Sequence, residues 1–189
     1  MRLLPFRSYN EKDVVNQFAL VGTGVAGLLV TINNGNLDDQ GDWDFTNYPG
    51  AQYFRVSNPN FVTQTNVRQS TSGDTKHNVL GFTLFNVAEF DENGEKYRYY
   101  KEKATENSVI LSGMTVPVLT RGLLTLGSGA YNGTPTVGAV IIPSNTVAGT
   151  IDFTSSSASG LNTQQIIGKV IGTGSLQGGY AMVLFNAGV

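Results

Sequence analysis

A chain of 189 residues is long enough for one ordinary domain, and a domain of that size buries roughly 70% of its unfolded surface, so no metal or disulfide staple is needed for folding. The net charge of -2 supplies no basic field for collecting phosphates, which argues against nucleic acid as a partner. The lack of cysteine excludes disulfides, zinc-thiolate sites and a thiol nucleophile together.

The N-terminal residues carry Arg2 and Arg7 but no apolar core of about 7 to 15 residues with a small-residue cleavage site, so secretion is not expected. Arg2, Leu3, Leu4, Phe6, Arg7 and Tyr9 fall outside any clear strand pattern, and residues 1–20 read as an extended N-terminal arm. Helical spacing is weak throughout. The candidates are residues 11–20, 101–108 and a turn-like 162–167. The most apolar stretch, residues 20–32, is too short to span a bilayer and is broken by Gly22, Thr23, Gly24 and Gly27; a membrane partner is not expected.

Gly22-Thr23-Gly24-Val25-Ala26-Gly27 fits the spacing of a dinucleotide fingerprint. Such a site needs a helix to begin there, so that its N-terminal amides meet the pyrophosphate. Residues 28–32 instead form a β-branched run ended by Asn33-Asn34-Gly35, and the glycines are expected in a strand-turn-strand without a cofactor.

Glycine leading into a short β-branched or aromatic run recurs at Gly27, Gly81, Gly122, Gly138, Gly149 and Gly179. Short strands bounded by Gly, Asn, Asp and Pro predict an all-β fold, a small barrel or sandwich with long polar loops. Residues 33–75 and 128–161 are polar stretches expected as loops or insertions within a single β-rich domain over 21–189. Asp91 to Lys96 places Asn93-Gly94 at a turn, predicting a hairpin between residues 82–90 and 97–103.

Candidate chemistry is sparse. Asp38, Asp39, Asp42 and Asp44 lack the spacing and closing glutamate of a calcium loop. His77 is the only histidine, and no Gly-x-Ser-x-Gly elbow accompanies it. Glu89, Asp91, Glu92 and Glu95 cluster around the expected turn rather than facing each other as a glycosidase pair. No catalytic, cofactor or metal site is assigned, and the chain is expected not to be an enzyme. Trp43, Tyr48, Tyr53 and Phe54 sit within the first polar stretch, either as exposed interface anchors or as a small core that holds the loop down.

Val79-Leu80-Gly81-Phe82-Thr83-Leu84, then Val116-Pro117-Val118-Leu119 through Leu126, then Ile167-Gly168-Lys169-Val170 and residues 178–184 occur in that order. Together with residues 15–20 and 26–30, this succession resembles the capsid decoration (cement) proteins of tailed phages and covers roughly half the chain. The resemblance implies a small β-barrel, usually trimeric, that bridges major capsid proteins on the outside of the virion and is assembled in the host cytoplasm. On that reading the N-terminal arm, with Arg2, Leu4, Phe6, Arg7 and Tyr9, grips the capsid or a neighbouring subunit. The alternative is a phage fibre or adhesin module whose polar loops bind host glycans.

Overall fold

A computed structural model describes residues 3–20, 22–33, 65–155, 161–175 and 179–187. The fold is mostly β. Its strands are β1 (Leu3–Ser8), β2 (Val14–Leu20), β3 (Leu29–Ile32), β4 (Thr65–Gln69), β5 (Val79–Thr83), β6 (Asn86–Ala88), β7 (Val109–Leu111), β8 (Thr115–Leu119), β9 (Arg121–Gly127), β10 (Tyr131–Asn132), β11 (Val140–Pro143), β12 (Ile151–Thr154), β13 (Gly168–Gly174) and β14 (Tyr180–Asn186). One short helix, α1, spans Lys101–Glu106.

Five strands close a barrel in the order β2-β4-β3-β5-β8, and seven form a sheet in the order β1-β9-β14-β13-β11-β12-β10. A small parallel pair, β6 with β7, stands apart from both. All six glycine-led runs become strands: β3, β5, β9, β11, β12 and β14.

The barrel interior holds Leu20, Val30, Val67, Leu80, Val116 and Val118 in one buried cluster, joined by Leu28 and Val87. Its outer wall contributes Leu29, Val79, Phe82 and Leu119 to a second cluster, completed by Leu124, Leu126, Ile141, Ile151, Val170, Val183 and Phe185 from the sheet. Barrel and sheet thus share a core. Phe82 meets Phe185 edge-on across the junction, with ring centroids 4.8 Å apart, a favoured aromatic geometry.

Several expectations are corrected. The N-terminal arm is instead two strands. Leu3 is 4% exposed and pairs opposite Leu126, so burial of this side chain draws residues 3–8 onto the sheet edge. Pro5 is tolerated there because an edge strand has one side without a ladder partner, where a missing N–H costs nothing. Residues 11–20 are a 3-10 turn over Glu11–Asp13 followed by β2. The Asn10 carboxamide accepts from the Lys12 N–H at 3.1 Å and caps the turn. After it, the branched Val14 and Val15 favour the strand. The pairing of β2 with β8 shifts between Val15 and Phe18, which breaks the two-residue alternation and mimics helical spacing.

The first polar stretch ends in a barrel strand, β4, anchored by Val67; residues 34–64 lie outside the described residues, and with them the Asp38 to Asp44 group and Trp43, Tyr48, Tyr53 and Phe54. The second polar stretch contains β10, β11 and β12 of the sheet. The strand at Gly168, expected in the barrel, belongs to the seven-stranded sheet, where it pairs with β11 and β14.

The hairpin is half right. Phe90 bridges Lys96 across the turn, but the chain from residue 97 turns and then coils into α1 instead of returning as a strand. Asp91 explains the turn: one carboxylate oxygen accepts from the N–H groups of both Asn93 and Glu95 at 2.8 Å.

Two glycines are fixed by close approach. A Cβ on Gly81 would collide with the backbone carbonyl of Leu119 and press on Val118 inside the barrel. Gly149 has φ +71, and a Cβ there would strike the Leu28 side chain. We expect Gly81→Ala and Gly149→Ala each to lower unfolding free energy by about 1–3 kcal/mol, with Gly81→Ala the more severe because its neighbour is backbone. Urea denaturation followed by circular dichroism checks both.

Candidate interaction surface

Of the N-terminal residues assigned to gripping a partner, the side chains of Leu4, Arg7 and Tyr9 are described. Arg2 lies outside the described residues, as does the side chain of Phe6. Leu4 is half-buried, and Tyr9 packs against the shared core. Arg7 is exposed on the edge strand, opposite Leu124 in register. Leu4 and Arg7 thus lie on β1 and Tyr9 just after it.

The Gly22 to Gly27 motif is a strand-turn-strand. β2 ends at Leu20, Gly24 exchanges backbone hydrogen bonds with Val87 at 2.8 and 2.7 Å, and the chain enters β3 at Leu29. Gly27 takes φ +88 at the turn. An open cleft of about 470 Å³ lies against this turn, lined among others by Thr23, Val25, Leu28, Gln69, Val87 and Val109. Its described lining has no ionisable side chain. His77 is exposed in the turn before β5. Among the described residues no group of three or more His, Cys, Asp or Glu side chains is placed to hold a metal ion. Nor is any helix among them long and apolar enough to cross a membrane.

The ion pairs among the described residues fall into two clusters. In the barrel, Asp74 is 5% exposed. Its carboxylate accepts from Arg68 at 2.7 and 3.1 Å, from the Thr71 N–H at 2.7 Å and from the Thr31 hydroxyl at 3.1 Å. This ties β3, β4 and the loop after β4 together. The second cluster lies in the excursion between β5 and β8. Lys103 of α1 donates to Asp91 and lies 3.2 Å from Glu92, while Lys96 pairs with Glu89 at 3.2 Å. The hydrogen bond from Lys103 and those from the Glu95 and Asn93 N–H groups hold the Asp91 carboxyl below its ordinary value despite its burial. Tyr97 is buried at 5%, and its hydroxyl accepts from Asn107 at 2.9 Å. Glu89, Asp91 and Glu92 are therefore turn and staple groups.

Around this excursion lie exposed aromatics that sequence reasoning did not single out as a surface. Phe85, Phe90, Tyr99 and Tyr100 are 39%, 48%, 75% and 50% exposed. The sequence signal was present in Tyr97-Arg98-Tyr99-Tyr100-Lys101, whose alternation of ring and charge reads as an exposed edge strand. Helix formation at Lys101 changes which rings are covered.

The chain matches no known protein family, no curated relative and no solved structure.

Burial pushes the Asp74 carboxyl up, but hydrogen bonds from Arg68, Thr71 and Thr31 outweigh it and hold the group below its ordinary value. The stabilisation is fully present above the unfolded pKa of about 3.9 and is lost as pH falls through the lower folded value. Asp74→Asn should cost about 1–3 kcal/mol at neutral pH, by leaving the Arg68 and Thr71 donors poorly matched. It should also flatten the fall in stability between about pH 5 and about pH 2. Urea midpoints measured across that range check both effects.

Proposed function

We propose that this chain is a non-catalytic structural protein that decorates the outside of a tailed-phage head, binding the major capsid protein as a homotrimer and stabilising contacts between its copies. Its place is the virion surface, after assembly in the host cytoplasm.

The observation that carries the reading is spatial. The segments that resemble the decoration family are far apart in sequence yet fall into two contiguous blocks. Val79–Thr83 pairs with Thr115–Leu119 in the barrel, with Phe82 opposite Leu119 and Thr83 opposite Val118. Arg121–Gly127, Tyr180–Asn186 and Gly168–Gly174 are successive neighbours in the sheet. Gly81 and Leu119, one from each of the first two segments, approach so closely that only glycine fits. That supports the two motifs as parts of one barrel and not as separate coincidences.

The physics of the task suits such a chain. A rigid β scaffold with only 14% charged residues adds little electrostatic bias of its own. Many copies of a modest contact reinforce a shell by multivalency, and a closed trimer matches a threefold site.

The test is co-sedimentation of the purified chain with heads of the phage whose genome encodes it, stripped of decoration protein. Saturable binding, with heads that withstand heating or dilution better when loaded, is the expected result. Binding to host cells with none to heads would overturn the reading in favour of an adhesin.

A further inference from the structure

The decoration reading needs a gripping surface, and the N-terminal segment expected to supply it is largely built into β1 and β2. The excursion between β5 and β8 has the properties that segment lacks. Every exposed aromatic side chain among the described residues lies in it: Phe85, Phe90, Tyr99 and Tyr100. Residues 89–106 also hold ten of the chain's 26 acidic and basic side chains. Among the described residues, the exposed rings are thus gathered on the lobe that also carries this share of the chain's charge. Single exposed apolar groups are ordinary, but a concentration of aromatics beside arginine is what binding surfaces show.

The lobe is also held in shape before any partner arrives. Lys103 links α1 to the Asp91 turn, Asn107 fastens the buried Tyr97, and the Asn86 carboxamide donates to the Asn107 carbonyl at 3.3 Å. β6 and β7 pair across the base. A preorganised surface loses less entropy on binding.

Its charges divide in a telling way. Lys96 and Lys103 are answered by Glu89, Asp91 and Glu92 within the lobe. Arg98 and Lys101 are exposed and have no ion-pair partner among the described residues. They bracket Tyr99 and Tyr100 directly in sequence. Of the other exposed acids, Glu95 lies at the Asp91 turn, and Glu102 and Glu106 stand four apart on α1 and so form their own row along the helix.

We infer that Arg98, Tyr99, Tyr100 and Lys101 form a docking surface for a carboxylate-bearing patch on another protein. Arg98 offers a planar fork to a carboxylate, Lys101 a point charge, and the two tyrosines supply apolar area with a polar tip. That the partner is the major capsid protein rests on the decoration reading; the chemistry of the surface does not.

Four full-length proteins separate the possibilities: the wild type, Tyr99→Ala/Tyr100→Ala, Arg98→Glu/Lys101→Glu, and Lys169→Glu on the exposed side of β13 as a control. All should keep the wild-type circular dichroism, melting temperature and oligomeric mass. A change of oligomeric mass in either lobe variant would make the surface a contact between copies of this chain and overturn the inference. On stripped heads, each lobe variant should bind at least about tenfold more weakly, the charge reversal should lose the salt sensitivity of binding, and Lys169→Glu should bind as the wild type. Full binding by both lobe variants would overturn the docking surface and leave decoration standing. If the wild type itself ignores heads, decoration fails, and polyglutamate-coated beads decide the surface alone. Salt-sensitive retention that Arg98→Glu/Lys101→Glu abolishes supports it, and no retention overturns it.

Discussion

The wall formed by β3, β5 and β8 is apolar on both sides, and the architecture depends on that. Leu29, Phe82 and Leu119 face the sheet, while Val30, Leu80, Val116 and Val118 face the barrel interior. One layer of backbone therefore serves two cores, and neither barrel nor sheet has that face covered without the other. Burying a large apolar side chain contributes roughly 1.5–3 kcal/mol, so the wall concentrates much of the folding free energy in three short strands. The Phe82 to Phe185 contact lies on this seam.

A ring of main-chain hydrogen bonds fixes the same seam from one side. Leu29 donates to Gly149 at 2.9 Å, Gly149 to Ser70 at 2.8 Å, and Ser70 to Leu29 at 3.0 Å. Three segments distant in sequence, from β3, the end of β4 and the loop before β12, are thereby locked in mutual register. The Ser70 hydroxyl is buried there and has no hydrogen-bond partner among the described residues; an unmet buried hydroxyl costs about 1–3 kcal/mol. The site accepts it because the backbone of Ser70 is satisfied on both sides. Side-chain chemistry has been sacrificed to main-chain geometry at the junction.

This construction explains which elements could be read from sequence. Runs such as Leu28-Leu29-Val30 and Val79-Leu80-Gly81-Phe82 are continuous rather than alternating because both faces are covered, and a glycine-led apolar run identifies them. β1 was hidden because only Leu3 among its described side chains is buried, and Pro5 argues against a central strand. β4 was hidden in a polar stretch because Val67 is its one buried described side chain. The return strand after Asn93-Gly94 failed for a different reason: the turn chemistry was legible, but Lys103 reaching back to Asp91 favours a helical turn that local alternation does not reveal. Of the interaction surface, the residues were visible and which of their rings stay exposed was not, because covering Tyr97 while exposing Tyr99 and Tyr100 depends on α1 and on Asn107.

The lobe and the scaffold are separable because of where the lobe leaves and rejoins the barrel. It departs after Thr83, which lies opposite Val118 in the ladder, and the Leu84 N–H still donates to the Pro117 carbonyl at 3.0 Å. Its two ends are thus neighbours, and the excursion between them adds no constraint on strand register. Loop closure grows only slowly more costly with length, so such an excursion can carry charges and rings that the double-faced wall would not accommodate. The barrel supplies a fixed base, the Asp91 and Lys103 staple supplies local shape, and Phe85, Phe90, Arg98, Tyr99, Tyr100 and Lys101 are left exposed. Recognition chemistry is concentrated where the core makes the fewest demands.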